Sequence, residues 1–314
     1  MNFHGIFGKI KLRTVSFGIV LASVVSLILV PIISRNAFYE GVFVTVAIYG
    51  VLAMSWDVLS GLTGYLNFGI AFSFGIGGYV AALISTRVGW PPYIGILIGG
   101  IGSVFFGLLI GIPSLRLRGH FFILVTLLVP LAAAALLNYI FVQDGSIFGV
   151  DDIINNSYYV YSSAVVVFAL TGIVLYVIAN SHIGLIFRAI RENEIAAEAS
   201  GVSTGWYKIF AFSISSFFAG MAGAVYVYSN GVASPTNFGI LFSALPIFMA
   251  ALGGVGTIVG PILGAFLLEG SIDLLRINYI QDIRLLLASI LLFVILLYVP
   301  GGIWGTIKKR FRIS

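Results

Sequence analysis

The chain has 314 residues, of which 60% are hydrophobic and 9% are charged, and its mean hydropathy is +1.12. Soluble domains carry about 25% charged residues, so this composition cannot cover a water-soluble globule and excludes a soluble enzyme. Because the apolar side chains must face lipid, we expect a polytopic protein embedded in the bilayer of the cell membrane. The net charge of +5 indicates a basic cytoplasmic side and not a nucleic-acid partner.

The chain contains no cysteine, and its three histidines are His4, His120 and His182. Without cysteine, disulfide bonds, Fe–S clusters, thiol nucleophiles and cysteine zinc sites are excluded. A histidine metal site is poorly supported, since these three residues lie far apart in the sequence. We therefore expect this chain to hold no metal and no cofactor of its own.

Apolar runs approach the length of about 20 residues that a helix needs to cross a bilayer. In chain order they are Val15–Ile33, Val42–Ser60, Tyr65–Ser85, Tyr93–Ile112, Phe121–Val142, Tyr158–Ala179, Ile209–Tyr228, Ile240–Leu268 and Ile283–Val299. Glycines at 253–256 interrupt the run that begins at Ile240, which then forms two short crossings or a re-entrant hairpin. We predict an all-α fold of about 8–10 transmembrane helices, some broken or re-entrant, forming one domain over residues 1–314.

The distribution of basic residues predicts the orientation of these segments. The first run lacks a small-residue cleavage site, so we interpret it as a retained span whose N-terminus is cytoplasmic. Twelve basic residues then fall in cytoplasmic segments and four in external ones, in agreement with the positive-inside rule. Both termini are therefore predicted to be cytoplasmic.

Glycines interrupt an apolar run in each half of the chain, at Gly61–Gly64 and at Gly253–Gly256. Paired interruptions indicate a midplane pathway in transporters built from repeats, because freed backbone groups must line a cavity or find internal partners. Tight helix packing is the alternative for many of the other glycines. The residues predicted to form a translocation pathway are Asp57, Gly61, Thr63, Gly64, Asn67, Gly253, Gly254 and Gly256.

Asp57 is the one acid inside a clear apolar run. An intramembrane carboxylate is a functional candidate by default. Asp57 also lies near the predicted cytoplasmic end of its run, beside Trp56, where a hydrogen-bonded structural carboxylate is an equal alternative. Glu269 is similarly interpreted as a carboxylate near a helix end.

The longest predicted cytoplasmic loop covers residues 180–208 and is rich in helix formers. Ile183, Ile186, Ile190 and Ile195 are predicted to form the apolar side of a short surface helix, with glutamates on its other side, and Gly201 is placed to end it. A solvated linker is one interpretation. Because the other loops are short, we favour a docking helix for a cytoplasmic partner.

Within this loop, the segment from Ile195 to Gly201 resembles the coupling-loop signature of ABC-importer permeases, which is Glu-Ala-Ala, three residues, then Gly. Ala196, Ala197 and Gly201 have the signature spacing, Ile195 replaces the glutamate, and the Ile-Leu-Pro tail is absent. The longer segment from Arg188 to Gly201 is similar to the branched-chain amino-acid permease family.

Three further segments resemble the same family, and the resemblance extends over about residues 40–305. Residues 55–69 resemble its glycine-rich N-terminal segment, and residues 252–261 resemble its late glycine-proline break. Residues 115–122 resemble its cytoplasmic arginine turn, in which an acid is more usual than His120. Each motif alone is weak, and the four in this order are together specific.

The resemblance implies a transport permease that works with other subunits. These are two cytoplasmic ATPase subunits, a second permease that is related or identical, and an extracytoplasmic substrate-binding protein. The residues implied to couple the chain to an ATPase are Arg188, Arg191, Glu194, Ala196, Ala197, Glu198 and Gly201. The nearest string to a Walker A motif, around Lys9, has the wrong spacing and no Ser or Thr after the Lys. ATP is therefore expected to bind the partners, and this chain is not expected to be an enzyme.

The function predicted from these features is that of a permease in an ATP-driven importer for branched-chain or other small amino acids, working by alternating access. Urea or short amides are alternative cargoes in the same family. A secondary transporter driven by protons or sodium is a further alternative, with Asp57 and Glu269 as coupling groups. A membrane-embedded enzyme is disfavoured because no cluster of acids, histidines or lysines marks an active site.

Overall fold

The computed structural model describes residues 15–29, 37–117, 119–143, 157–274 and 301–310. These residues fold into α-helices joined by short segments, without a β-strand among them. The helices are α1 Val15–Leu29, α2 Ala37–Trp56, α3 Ile70–Leu83, α4 Pro92–Ser114, α5 His120–Gln143, α6 Ser157–Asn180, α7 His182–Glu192, α8 Glu194–Ala199, α9 Thr204–Asn230, α10 Leu241–Gly253, α11 Val259–Leu274 and α12 Gly302–Arg310. The predicted segment Ile283–Val299 lies outside the described residues.

Two helices continue as π-helical turns, α2 over Asp57–Leu62 and α3 over Ile84–Val88. With these extensions, six helices are long and apolar enough to cross a membrane. They are Phe38–Leu62, Ile70–Val88, Pro92–Ser114, His120–Ile140, Tyr158–Asn180 and Thr204–Asn230. The predicted all-α, polytopic membrane fold is therefore confirmed.

The interrupted run near the C-terminus forms two short helices. Helices α10 and α11 have 13 and 16 residues, so at 1.5 Å per residue both are shorter than a bilayer core of about 30 Å. A 3₁₀ turn, Pro235–Phe238, precedes them, and its Phe238 is fully buried against Phe72 and Tyr79 of α3. The segment thus enters the core directly after α9 and is broken there, as the glycine interruption predicts.

Helices α3, α4 and α9 pack closely against one another in the core. A side chain at Gly77 of α3 would overlap the backbone of Gly220 in α9, and one at Gly223 would overlap the carbonyl oxygen of Phe74. A Cβ on Gly99 of α4 would come within 2.6 Å of the Gly77 carbonyl oxygen. Glycine therefore lets these three helices approach to backbone contact.

The loop of residues 180–208 contains two helices, α7 and α8, where the sequence predicted one. Asn193 lies between them in an extended conformation, and its side chain accepts a hydrogen bond from the Ala196 N–H at 3.0 Å, which starts α8. This break turns Ile195 outward, to 68% exposure, while Ile186 and Ile190 are buried with Ala197. The expected apolar side of one helix is therefore wrong at Ile195.

Candidate functional site: two helix breaks and the α7–α8 loop

Asp57 is a fully buried carboxylate in the turn that follows α2. It lies in the π-helical turn and has 0% exposure. Its Oδ1 accepts a hydrogen bond from the N–H of Gly256 at 2.6 Å, and its Oδ2 accepts two from Thr257 and Ile258, each at 3.0 Å. Each carboxylate oxygen is thus bonded to the turn between α10 and α11, as expected for a buried polar group. This geometry favours the interpretation of Asp57 as a structural carboxylate.

The turn between α10 and α11 can present three N–H groups because its backbone is unusual. Gly254 and Gly256 have φ values of 124° and 79°, a region that disfavours side chains. Ile258 has a φ of 59° and is the non-glycine residue with positive φ among the described residues. Successive N–H groups in such a turn form a concave site for an anion. Here the Asp57 carboxylate fills that site.

Arg191 of α7 lies against both helix breaks. Its Nη1 donates a hydrogen bond to the carbonyl oxygen of Gly61 at 2.6 Å, and a Cβ on Gly256 would lie 2.6 Å from the same nitrogen. A Cβ on Gly64 would lie 3.1 Å from Cγ of Arg191, and one on Gly61 would overlap the Asp57 carboxylate. We call Asp57, Gly61, Arg191 and the turn 254–258 the Asp57 joint. It brings together both predicted interruptions and the predicted coupling loop.

A second polar cluster fastens α8 to the start of α9. Lys208 Nζ donates to Glu194 Oε1 at 2.6 Å and to Tyr65 Oη at 3.0 Å, and Tyr65 Oη donates to Glu194 Oε2 at 2.6 Å. The Lys208 and Glu194 side chains are only 9% and 15% exposed. Burial, and then the hydrogen bond to Glu194, raise the pKa of Tyr65 above that of an ordinary tyrosine. The phenol therefore stays protonated as a donor to the carboxylate.

The other charged residues of the predicted coupling set also bond within the chain. Arg188 donates from Nη2 to the Ala179 carbonyl oxygen at 2.7 Å, at the end of α6. Glu198 Oε1 accepts a hydrogen bond from the Thr204 hydroxyl at 2.5 Å. The polar groups of α7 and α8 thus hold these helices on the bundle, and the exposed face of α8 contains Ile195 and Ala196.

Gly201 ends α8 in a Schellman motif. Its N–H donates to the Glu198 carbonyl at 2.9 Å, and the N–H of Val202 donates to the Ala197 carbonyl at 3.1 Å. Gly201 has a φ of 85°, which this motif requires, and Val202 packs against the cluster of Ile186, Ile190 and Ala197. The Ala-Ala and Gly spacing of the signature therefore has a physical basis: it sets the length of α8 and the residue that can end it.

The residues predicted to form a pathway occupy three different places. Thr63 and Gly64 line an open cavity of about 310 Å³, together with residues 190–194 of the α7–α8 loop. Asn67 lines a small cavity of about 20 Å³ between α3, α4, α5 and α9. The rest, Asp57, Gly61, Gly253, Gly254 and Gly256, belong to the close packing around the Asp57 joint.

Sequence reasoning did not include Tyr65 or Lys208 among the candidate site residues. No local pattern connects them, because Lys208 lies 14 residues beyond Glu194 and 143 residues beyond Tyr65. The placement of a basic residue in the first turns of an apolar helix was the available signal. As for metal binding, no group of three or more His, Cys, Asp or Glu residues that could hold an ion occurs in the part of the chain that the structure describes.

The chain resembles known transport proteins over most of its length. The model of a family described as the permease component of branched-chain amino acid transport systems matches residues 38–299. The chain is 28% identical over 299 residues to the high-affinity branched-chain amino acid transport system permease protein LivM of Escherichia coli K12, a match that covers 85% of this chain and 70% of LivM. LivM of Salmonella typhimurium gives the same values.

A shorter match joins the chain to the autoinducer 2 import system permease protein LsrC of Yersinia pseudotuberculosis, which is 37% identical over 98 residues. That match covers 30% of this chain and 28% of LsrC. No solved structure matches the chain.

The family match covers most of the chain, and the six apolar helices agree with it. Members of this family are transport permeases and not enzymes, and they work with ATPase and substrate-binding partners. The chain therefore belongs to the family of branched-chain amino acid permeases of ABC importers, and it is a multi-pass protein of the cell membrane.

Proposed function

We propose that this chain forms half of the translocation pathway of an importer for branched-chain amino acids. The match to LivM, which extends over 85% of the chain, carries this proposal. The LsrC match is confined to 98 residues and gives weaker support for a different cargo. Two cytoplasmic ATPase subunits, a second permease and an extracytoplasmic binding protein complete the importer. ATP binds only the ATPase subunits.

The exposed face of α8 is our proposed contact for an ATPase subunit. Ile195 is 68% exposed, and Leu185 of α7 and Trp206 of α9 are 60% and 75% exposed at the same end of the bundle. Because Arg188 and Glu194 are bonded within the chain, apolar contact carries the docking and the polar groups hold the docked helices in place. This end, and both termini, are cytoplasmic in the proposal.

The pathway runs beside the Asp57 joint in our proposal. Asn67 lines the small cavity between α3, α4, α5 and α9, and Thr63 and Gly64 line the larger cavity at the α7–α8 end. Substrate passes when ATP-driven closure of the ATPase subunits moves α7 and α8, so that access alternates between the two sides of the membrane. The glycines of the joint supply backbone contacts that can rearrange.

Uptake of radiolabelled leucine by proteoliposomes tests the proposal. The vesicles contain the purified permease pair and ATPase subunits, and the binding protein is added outside. We expect uptake that requires ATP and resists an uncoupler. Uptake that persists without ATP and collapses with the uncoupler would establish the ion-coupled alternative instead.

The docking face is tested separately by co-purification of the ATPase subunits. We expect Ile195→Asp to abolish co-purification, because it places a charge in the centre of an apolar contact. Val232→Asp is the matched control, since Val232 is also exposed and follows the other end of α9. Retention of the ATPases by Ile195→Asp, or their loss from Val232→Asp as well, refutes α8 as the docking face.

A further inference from the structure

Arg191 differs from Arg188 and Glu198 in what it contacts. Arg188 and Glu198 bond to neighbours in α6 and α9, which lie next to them in the chain. Arg191 instead bonds across 130 residues to the carbonyl oxygen of Gly61, at the first helix break. Its side chain therefore joins α7 directly to the π-helical turn that follows α2.

The second helix break is held to the first through Asp57. Gly256, Thr257 and Ile258 donate their N–H groups to the Asp57 carboxylate, four residues before Gly61. The guanidinium of Arg191 also lies against Gly256, where a Cβ would come within 2.6 Å of Nη1. One side chain of α7 thus touches both breaks, which are otherwise about 200 residues apart.

The segment that Arg191 holds is suited to rearrangement. Asp57–Leu62 is a π-helical turn. Such turns are rare in proteins overall, but those that occur are often at functional sites. A π-helical turn contains about one residue more than an α-helical turn. Converting it to α-helix therefore rotates the residues that follow by about 100° around the helix axis. Gly61 and Gly64 have no side chains that would block this rotation. Arg191 itself is exposed along the border of the open cavity, so movement of α7 can displace it.

We propose that Arg191 is the positioning residue that transmits movement of α7 and α8 to both helix breaks of the permease. This inference rests on the proposed function, because the movement originates in the ATPase subunits. When α7 moves, the guanidinium carries the Gly61 carbonyl with it and changes its contact with Gly256. The π-helical turn and the turn 254–258 then shift together, since Asp57 joins them. Arg191 does not itself contact the ATPase subunits.

The test measures leucine uptake and ATP hydrolysis in the same proteoliposomes, for Arg191→Gln, Arg191→Lys and Arg116→Gln. Arg116 is the matched control, since it is an exposed arginine in the turn between α4 and α5. We expect Arg191→Gln to lower the uptake per ATP hydrolysed about tenfold, the size of a typical coupling effect. The ATPase subunits still co-purify and still hydrolyse ATP. We expect Arg191→Lys to restore part of the uptake per ATP hydrolysed. An ammonium can donate to the Gly61 carbonyl, but it lacks the several donors that a guanidinium holds in one plane.

Two outcomes overturn the inference. If the ATPase subunits no longer co-purify with Arg191→Gln, Arg191 is a docking residue. If the ratio of uptake to hydrolysis is unchanged, Arg191 does not transmit the movement. A ratio that falls equally in Arg116→Gln also refutes the assignment. Failure of the proposed function looks different, since the unmodified complex would then show no ATP-dependent leucine uptake at all.

Discussion

Glycine has different roles in two regions of this permease. Between α3, α4 and α9, glycines such as Gly77 and Gly223 lie inside regular helices, and the missing side chain lets backbones touch. In the Asp57 joint, Gly254 and Gly256 have positive φ, and their turn offers N–H groups to a carboxylate. In the first region glycine only closes the space between helices, whereas in the second it also frees backbone N–H groups for the Asp57 carboxylate.

We expect this difference to separate a rigid part of the molecule from a part that rearranges during transport. Backbone-to-backbone packing has no second arrangement nearby, because any shift creates overlap or a void. The joint is held by three hydrogen bonds to Asp57 and one from Arg191, which can be exchanged for others. We therefore expect the helices α3, α4 and α9 to form a frame against which the joint rearranges.

The largest effect is expected from filling the frame. Gly223→Val places a branched side chain against the Phe74 carbonyl oxygen, and this backbone atom cannot move aside as a side chain could. We expect a loss of more than about 3 kcal/mol, beyond the usual range for overpacking, and therefore little folded protein after size-exclusion chromatography. Gly205→Val is the control, because a Cβ at Gly205 of the same helix meets nothing within 4 Å. Equal yields of the two variants would show that α3 and α9 are not in backbone contact.

The next effect is expected in the joint. Asp57→Ala leaves three N–H groups of the turn 254–258 without their acceptor, and we expect a loss of about 3 to 5 kcal/mol from the free energy of unfolding. SDS titration in mixed micelles measures this quantity. Ser55→Ala, two residues earlier and equally buried, removes only one local bond to the Val51 carbonyl and should lose about 1 kcal/mol. Similar losses in both variants would contradict the account of Asp57.

A smaller effect is expected at the end of α8. Gly201→Ala forces a Cβ into the left-handed region and should cost about 1 to 2 kcal/mol, although the site has open space. Gly205→Ala, at an exposed helical glycine with equally open space, should be neutral or stabilising by the same unfolding measurement. If Gly201→Ala were neutral too, the Schellman motif would not be what fixes this glycine.

The smallest effect concerns Tyr65. Tyr65→Phe removes one donor to Glu194 from a half-buried cluster and should cost about 1 kcal/mol. Because the folded protein raises the pKa of Tyr65, this stabilisation is complete below the pKa of an unfolded tyrosine and is lost as the pH rises through the higher folded value. Unfolding titrations at increasing alkaline pH should therefore converge for the two proteins. A constant difference would mean that the phenol does not titrate in this way.

The sequence predicts well what depends on local composition. The run Tyr158–Ala179 became α6, Ser157–Asn180, because a continuous apolar stretch has no other stable form in lipid. Gly201 was correctly predicted to end a helix, since its conformation is a local requirement. Both glycine interruptions are indeed helix ends.

What the sequence could not show is which distant groups meet. Asp57 and Thr257 are 200 residues apart, and neither carries a pattern that indicates the other. The outward position of Ile195 depends on the helix break at Asn193, which a run of helix formers conceals. Likewise, the sequence predicts Glu194 on the polar side of a surface helix, whereas in the structure Lys208 and Tyr65 both donate hydrogen bonds to it.

The contrast between frame and joint is tested most directly by hydrogen exchange of the assembled importer, with and without a non-hydrolysable ATP analogue. We predict that exchange changes in the peptides covering Asp57–Gly64 and the turn 254–258. It stays constant where α3, α4 and α9 pack together through Gly77, Gly99 and Gly223. Equal changes in the frame and the joint, or none in the joint, would contradict the account.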